Sequence, residues 1–170
     1  MGDDGAVRVT PSRRRFTRDR QGSFHPRLSP EERQLLEGLP AQAQELLATG
    51  DQSTKRLFPV AYPDDPAAER EYQALVGESL LDHHRHALDC LAQTASAETV
   101  GLGELEQWMG AFEVLRLVLG TQLDVTEDMS SIDPEDPRAP GLALYGYLSL
   151  LQEEVVAALA GVLPDVKDDR

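Results

Sequence analysis

The chain has 170 residues, 41% apolar and only 5% aromatic, with 16 lysines and arginines against 30 aspartates and glutamates and a single cysteine. That length suits one domain with an aliphatic core, since a chain of about 150 residues buries roughly two-thirds of its unfolded surface. One cysteine excludes an internal disulfide framework and a cysteine-based zinc knuckle, and it suits a reducing cytoplasm.

Charge divides the chain. Residues 1–28 hold seven arginines against three aspartates, a net of +4, whereas the remaining 142 residues carry a net of −18. An acidic body repels phosphate backbones, so nucleic-acid contact would fall to the arm, through Arg13, Arg14, Arg15, Arg18 and Arg20. No aromatic stacking platform accompanies these arginines, and the plainer reading lays the arm against its own acidic body or leaves it free in solvent. Within the arm, two alternating runs around Phe16 and Phe24 flank Gln21-Gly22, which predicts a hairpin with Phe16, Phe24 and Leu28 on one face.

Ser29-Pro30-Glu31-Glu32 predicts a helix start, with Ser29 as cap, Pro30 in the first turn and Glu32 completing a capping box. Leu35, Leu36, Leu39, Ala43, Leu46 and Leu47 follow at helical spacing. Pro40 predicts a kink or break, and Gly50 an end. Residues 51–65 read as an ordered loop folded onto the core. Asp65-Pro66 opens a long helix to about Ser96, with Tyr72, Leu75, Val76, Leu80, Ala87 and Leu91 expected inward. A third helix spans about Gly103–Leu123 on Leu105, Trp108, Met109, Phe112, Leu115 and Leu119. An acidic, proline-rich loop, 124–140, leads to a last helix over about Pro140–Leu163. The fold class is therefore all-α, a bundle of about four helices with a short N-terminal arm or β-hairpin. The expected organisation is a basic arm (1–28), a helical bundle (29–163) and an acidic tail (164–170). The longest uncharged run, Ala139–Gln152, has 14 residues. It falls short of the roughly 20 that a membrane span needs. No signal-peptide pattern opens the chain, so no membrane attachment is expected.

Three constellations could carry chemistry. His83, His86 and Cys90 fall within about 60° on one helix face and could offer zinc imidazole nitrogen and thiolate. The same face borders the core stripe, and a structural role is preferred, with no metal or other cofactor expected. Cys90 is separately a redox candidate, one turn after His86, which could lower its pKa when protonated; Asp89 and Asp82 would push the other way, and an inert core cysteine is the preferred reading. Asp124–Glu135 imitates a calcium loop but lacks glycine at its sixth position and carries Pro134 at the eleventh, so the site is rejected. Arg116 projects into the apolar stripe of the third helix and Gln152 into that of the fourth. A core-facing guanidinium needs acceptors, which predicts a buried polar cluster of Arg116 and Gln152 with a carboxylate from Glu153, Asp64 or Asp65. That cluster is either a structural clasp, the preferred reading, or a partner pocket. Standard hydrolase, phosphate-loop and dinucleotide signatures are missing.

Several of these segments also resemble a known family. Arg56-Leu57-Phe58-Pro59, Ala61-Tyr62-Pro63-Asp64-Asp65, Leu115-Arg116-Leu117-Val118-Leu119-Gly120-Thr121, Tyr145-Gly146-Tyr147-Leu148 and Leu151-Gln152-Glu153, after an FTRDRQGSFHPRLSPEE opening, are similar in order and spacing to the actinobacterial oxidative-stress regulator (AosR-like) family, formerly a family of unknown function. The resemblance implies a cytoplasmic, mainly helical, non-enzymatic protein. It also implies a part in transcriptional responses to oxidative stress, with a sigma factor as partner. The chain departs from any two-cysteine sensor mechanism because Cys90 stands alone. The competing expectation is a redox-independent adaptor or scaffold in regulated proteolysis.

Overall fold

Helix ends fall where short polar side chains can replace missing intrahelical partners. The computed structural model describes residues 14–127 and 133–162. They form β1 (Phe16–Arg18), β2 (Phe24–Pro26), α1 (Pro30–Thr49), a 3-10 helix (Gln52–Leu57), α2 (Pro66–Thr94), α3 (Leu102–Gln122) and α4 (Ala139–Ala160). At the start of α1, the Ser29 hydroxyl accepts from Glu32 N–H while the Glu32 carboxylate accepts from Ser29 N–H at 2.7 Å. Gly50 closes that helix in the left-handed region at φ 63°, where a side chain would be strained. The Asp65 carboxylate accepts from Ala67 and Ala68 N–H at 3.1 Å and opens α2.

The all-α architecture with an N-terminal hairpin is what the sequence pattern predicts. Of the kink or break expected at Pro40, no break occurs, because α1 continues through it. Its ring is buried on the face that carries Leu36 and Ala43, and that packing offsets the lost backbone bond. Only the first part of the 51–65 segment folds inward, with Ser53, Thr54 and Leu57 buried and Phe58 half-buried, whereas residues 59–65 are exposed.

The core is built around α3, which packs against α2, α4, α1 and the 3-10 helix. Trp108 is fully buried, and its indole N–H donates to Thr94 Oγ1 at 2.7 Å. Phe16 meets Trp108 edge-on at 6.1 Å, and Phe112 does so from the other side at 6.2 Å. Where α3 and α4 pass, a Cβ on Gly120 would stand 3.1 Å from the Tyr145 ring, so glycine sets how closely the helices approach. The α4 helix is long and apolar enough, by length and composition, to cross a membrane. Here its Leu148, Leu151 and Val155 are buried in the bundle core.

The hairpin belongs to that core. Its strands pair antiparallel, with Phe16 opposite Pro26 and Arg18 opposite Phe24, around a turn with Gly22 at φ 91°. The Asp19 carboxylate organises the turn by accepting from Gln21 N–H, Ser23 N–H and His25 Nε2. Phe24 exchanges two backbone bonds with Val100, at 2.8 and 2.9 Å. Arg33 then pins the outer side of β2, donating to Pro26 O, Ala95 O and Ala97 O at 2.8–2.9 Å. A two-stranded hairpin is marginal alone, so these contacts hold it.

One long stretch escapes the core. No residue from Pro66 to His86 is buried, and Leu75, expected inward, is 80% exposed. Leu35 of α1 is likewise exposed. The Phe24→Ala variant should lose about 3–5 kcal/mol of unfolding free energy, measured by urea denaturation. A loss under about 1 kcal/mol would mean the hairpin is only appended to the bundle.

Candidate functional site

A polar seam joins the root of the hairpin to α1 and α4. Arg15 precedes β1 and, by strand alternation, faces away from buried Phe16. Its Nη1 donates to Glu32 Oε1, its Nε lies 3.6 Å from Glu154 Oε2, and its guanidinium stands 5.9 Å from the Tyr147 ring centre. The Tyr147 hydroxyl donates to the same Glu32 oxygen at 2.9 Å. Burial alone would raise the Glu32 pKa, but donors from Ser29, Tyr147 and Arg15 outweigh it and hold the carboxyl below its ordinary value. Burial and the adjoining Glu32 charge push the Tyr147 phenol upward. The seam therefore favours an ionised Glu32 and a protonated Tyr147. Glu154 Oε2 is buried without a hydrogen-bond partner among the described residues.

The predicted Arg116 cluster exists, with different acceptors. Arg116 Nε donates to Ser149 Oγ at 2.8 Å, its Nη1 donates to Gln152 Oε1, and its guanidinium sits 5.4 Å from the Tyr145 ring centre. The expected carboxylate is not there. Glu153, Asp64 and Asp65 are all exposed, and Asp65 is committed to capping α2. A half-buried guanidinium facing an open depression of about 340 Å³ keeps part of its hydration, so neutral acceptors suffice.

Nor does the structure assemble the metal candidates. His83 and His86 are exposed, Cys90 is half-buried, and among the described residues no group of three or more potential ligands is placed to hold an ion. His84, between them, turns inward instead, with Nε2 3.1 Å from Leu57 O and its ring edge-on to Phe58. Burial pushes the Cys90 thiol up, only partly offset by a hydrogen bond with Thr94. Desolvation, with the Glu104 charge, therefore works against the lowering that a nearby protonated histidine could give.

Of the arm arginines, Arg15 is engaged in the seam, while Arg14, Arg18 and Arg20 are exposed. Arg13 and the 164–170 tail lie outside the described residues, as do Asp128–Ile132 of the acidic loop. Sequence reading missed the seam because Arg15 and Tyr147 are far apart in the chain, and Glu32 was legible only as a cap. It also missed the exposed ridge of Val60 (63%), Tyr62 (49%) and Leu75 (80%). The one signal was the arginine and glutamates interspersed among apolar positions 66–80.

Residues 13–159 match a family model described as a domain of unknown function, DUF2017. No curated protein and no solved structure matches the chain. The matched span includes the hairpin with the helices, in keeping with their shared core.

Two outcomes test the site. Glu32 titrates below its ordinary 4.5 when folded, so its contribution is complete above that pH and fades as pH falls through the folded value. Tyr147 titrates above its ordinary 10.0, so its contribution is complete below pH 10 and fades as pH rises. Glu32→Gln should cost about 1.5–3 kcal/mol at pH 7 and flatten the acid limb of a stability–pH profile, since it removes hydrogen bonds to a charged group. For Cys90, the midpoint of the alkylation rate against pH should lie above the thiol's ordinary pKa of 9.0. A midpoint below 8 would refute the raised thiol.

Proposed function

The chain belongs to the DUF2017 family, and from that premise we propose that it is a cytoplasmic interaction protein without enzymatic activity. In this reading it serves transcriptional responses to oxidative stress by binding a component of the transcription machinery such as a sigma factor. The observation that carries the interaction role is the stretch Pro66–His86 of α2. These six turns of helix contain no fully buried residue, and Leu75 on the helix and Val60 and Tyr62 in the segment before it are exposed. Contiguous exposed apolar surface marks interaction sites. Tyr62 and Tyr72, edge-on at 5.9 Å, give it an aromatic platform of the kind that anchors partners. The oxidative-stress and sigma-factor parts of the proposal rest on the family resemblance described above. The body's strong negative charge suits a basic partner surface.

A second reading has its own support. The raised Cys90 pKa disfavours the thiolate that a peroxide sensor needs. A redox-independent adaptor in regulated proteolysis would have the same exposed helix and no need of that thiol.

Affinity capture with the purified chain, repeated with and without mild peroxide, separates these readings. Recovery of a sigma factor, lost at least about tenfold in the Val60→Asp/Leu75→Glu variant, is the expected result. Both substitutions lie on exposed positions and should leave the unfolding midpoint unchanged. Recovery of protease components independent of peroxide would instead favour the adaptor. Capture unaffected by the double substitution would remove the α2 ridge from the interface.

A further inference from the structure

Arg116 is a half-buried cation whose donors are only partly used. A guanidinium carries five N–H groups. Two are engaged here, Nε–H with Ser149 Oγ at 2.8 Å and one Nη1 hydrogen with Gln152 Oε1. The other three, one on Nη1 and both on Nη2, have no partner among the described residues, and no carboxylate there pairs with this arginine. Arg15 and Arg138, by contrast, each hold a carboxylate. The Arg116 side chain is fixed all the same. The Tyr145 ring centre lies 5.4 Å away, and the Ser149 hydroxyl donates to Tyr145 O at 2.8 Å. Tyr145, Ser149, Gln152 and Val156 recur at i, i+4, i+7 and i+11, so they share one stripe of α4. Gln152 gives its oxygen to Arg116, and its Nε2 has no partner among the described residues. Beside this group lies the depression of about 340 Å³, lined by Arg116, Ser149, Gln152, Glu153, Val156 and Ala157.

We propose that this depression binds a small monocarboxylic acid with an apolar body, its carboxylate on Arg116 and its hydrocarbon against Val156 and Ala157. The donors left over on Arg116 and Gln152 suit an oxyanion, and the planar guanidinium matches two carboxylate oxygens at once. Ser149, Gln152 and the Tyr145 ring hold that guanidinium before a ligand arrives, so little side-chain freedom is lost on binding. The ligand's charge is limited to one. Residues 29–170 carry a net of −18 and Glu153 stands in the lining, so a dianion meets more repulsion than a carboxylate does. Glu153 does not itself fill the place of the anion, because it is exposed and pairs with no cation among the described residues. The apolar body follows from the rest of the lining. Val156 is 47% exposed and Ala157 is exposed beside it. An ion pair open to water contributes little alone, so covering that apolar surface supplies the larger part of the affinity. The site uses none of the α2 ridge residues and stands apart from any transcription partner.

The test is an NMR titration of the isotope-labelled full chain with hexanoate, hexanamide, acetate and sulfate. Hexanoate should bind saturably and move the Arg116 side-chain Nε–H resonance. Hexanamide lacks the charge, acetate lacks the apolar body and sulfate carries a second charge, so each should bind at least about tenfold more weakly. Arg116→Gln should weaken hexanoate at least roughly tenfold, whereas Arg20→Gln, at an exposed arginine outside the lining, should leave it unchanged. Gln152→Glu gives Arg116 a carboxylate of its own. It should abolish binding without lowering the unfolding midpoint, which separates loss of the site from loss of the fold. Hexanamide or sulfate matching hexanoate, binding indifferent to Arg116→Gln and Gln152→Glu, or no saturable shift by about 20 mM hexanoate would overturn the proposal.

Discussion

A single carboxylate, Glu32, ties together the start of α1, the root of the hairpin and the middle of α4. It accepts the Ser29 amide that begins the helix, the Arg15 guanidinium and the Tyr147 hydroxyl. An ionised carboxylate has enough lone-pair directions to take all three, and its partial burial makes each bond stronger than it would be in water. Arg33, the adjacent residue, complements it by gathering four backbone carbonyls, those of Pro26 in β2, of Leu28, and of Ala95 and Ala97 just past α2. Adjacent residues of opposite charge thus secure a strand pair that could not persist alone. Phe16 and Phe24 can then sit against Trp108 and Val100 and complete an otherwise aliphatic core.

This arrangement also orders the surface. The arm's charge is partly spent on the body, because Arg15 is engaged with Glu32 and Glu154, while Arg14, Arg18 and Arg20 are exposed. Opposite in character is the Pro66–His86 stretch of α2, which has no fully buried residue and leaves Leu75 largely exposed. A helix of this kind gains little from packing in the isolated chain, and a partner surface would supply the burial it lacks. Cys90, by contrast, is half withdrawn from solvent and its thiol is pushed upward. Interaction chemistry is better provided for in this molecule than thiol chemistry.

Much of the frame was legible because it depends on neighbours in sequence. The capping box at Ser29–Glu32, the Asp65 cap, the Gly50 terminator and the Gly22 turn are each decided within a few residues. Long-range packing overrode local expectation elsewhere. Pro40 sits inside a continuous helix because its ring fills the core. Leu75 looked inward by periodicity, yet α2 outruns the helices available to cover it. The pairing of Arg116 with Gln152 was foreseeable from two polar residues on facing apolar stripes. Its other partners, Ser149 and the Tyr145 ring, were not, because a half-exposed guanidinium does not demand a carboxylate.

By itself the sequence determined an acidic, all-α chain, where its helices begin and end, and that a short arm could form a hairpin, since these follow from charge, period and capping chemistry over short spans. Only the tertiary structure decided which polar groups meet. Arg15, Glu32, Tyr147 and Glu154 come from three separate elements, and no periodicity links them. It likewise decided which helix face stays uncovered. That depends on the lengths of neighbouring elements and the angles at which they pack, and those are properties of the assembled core.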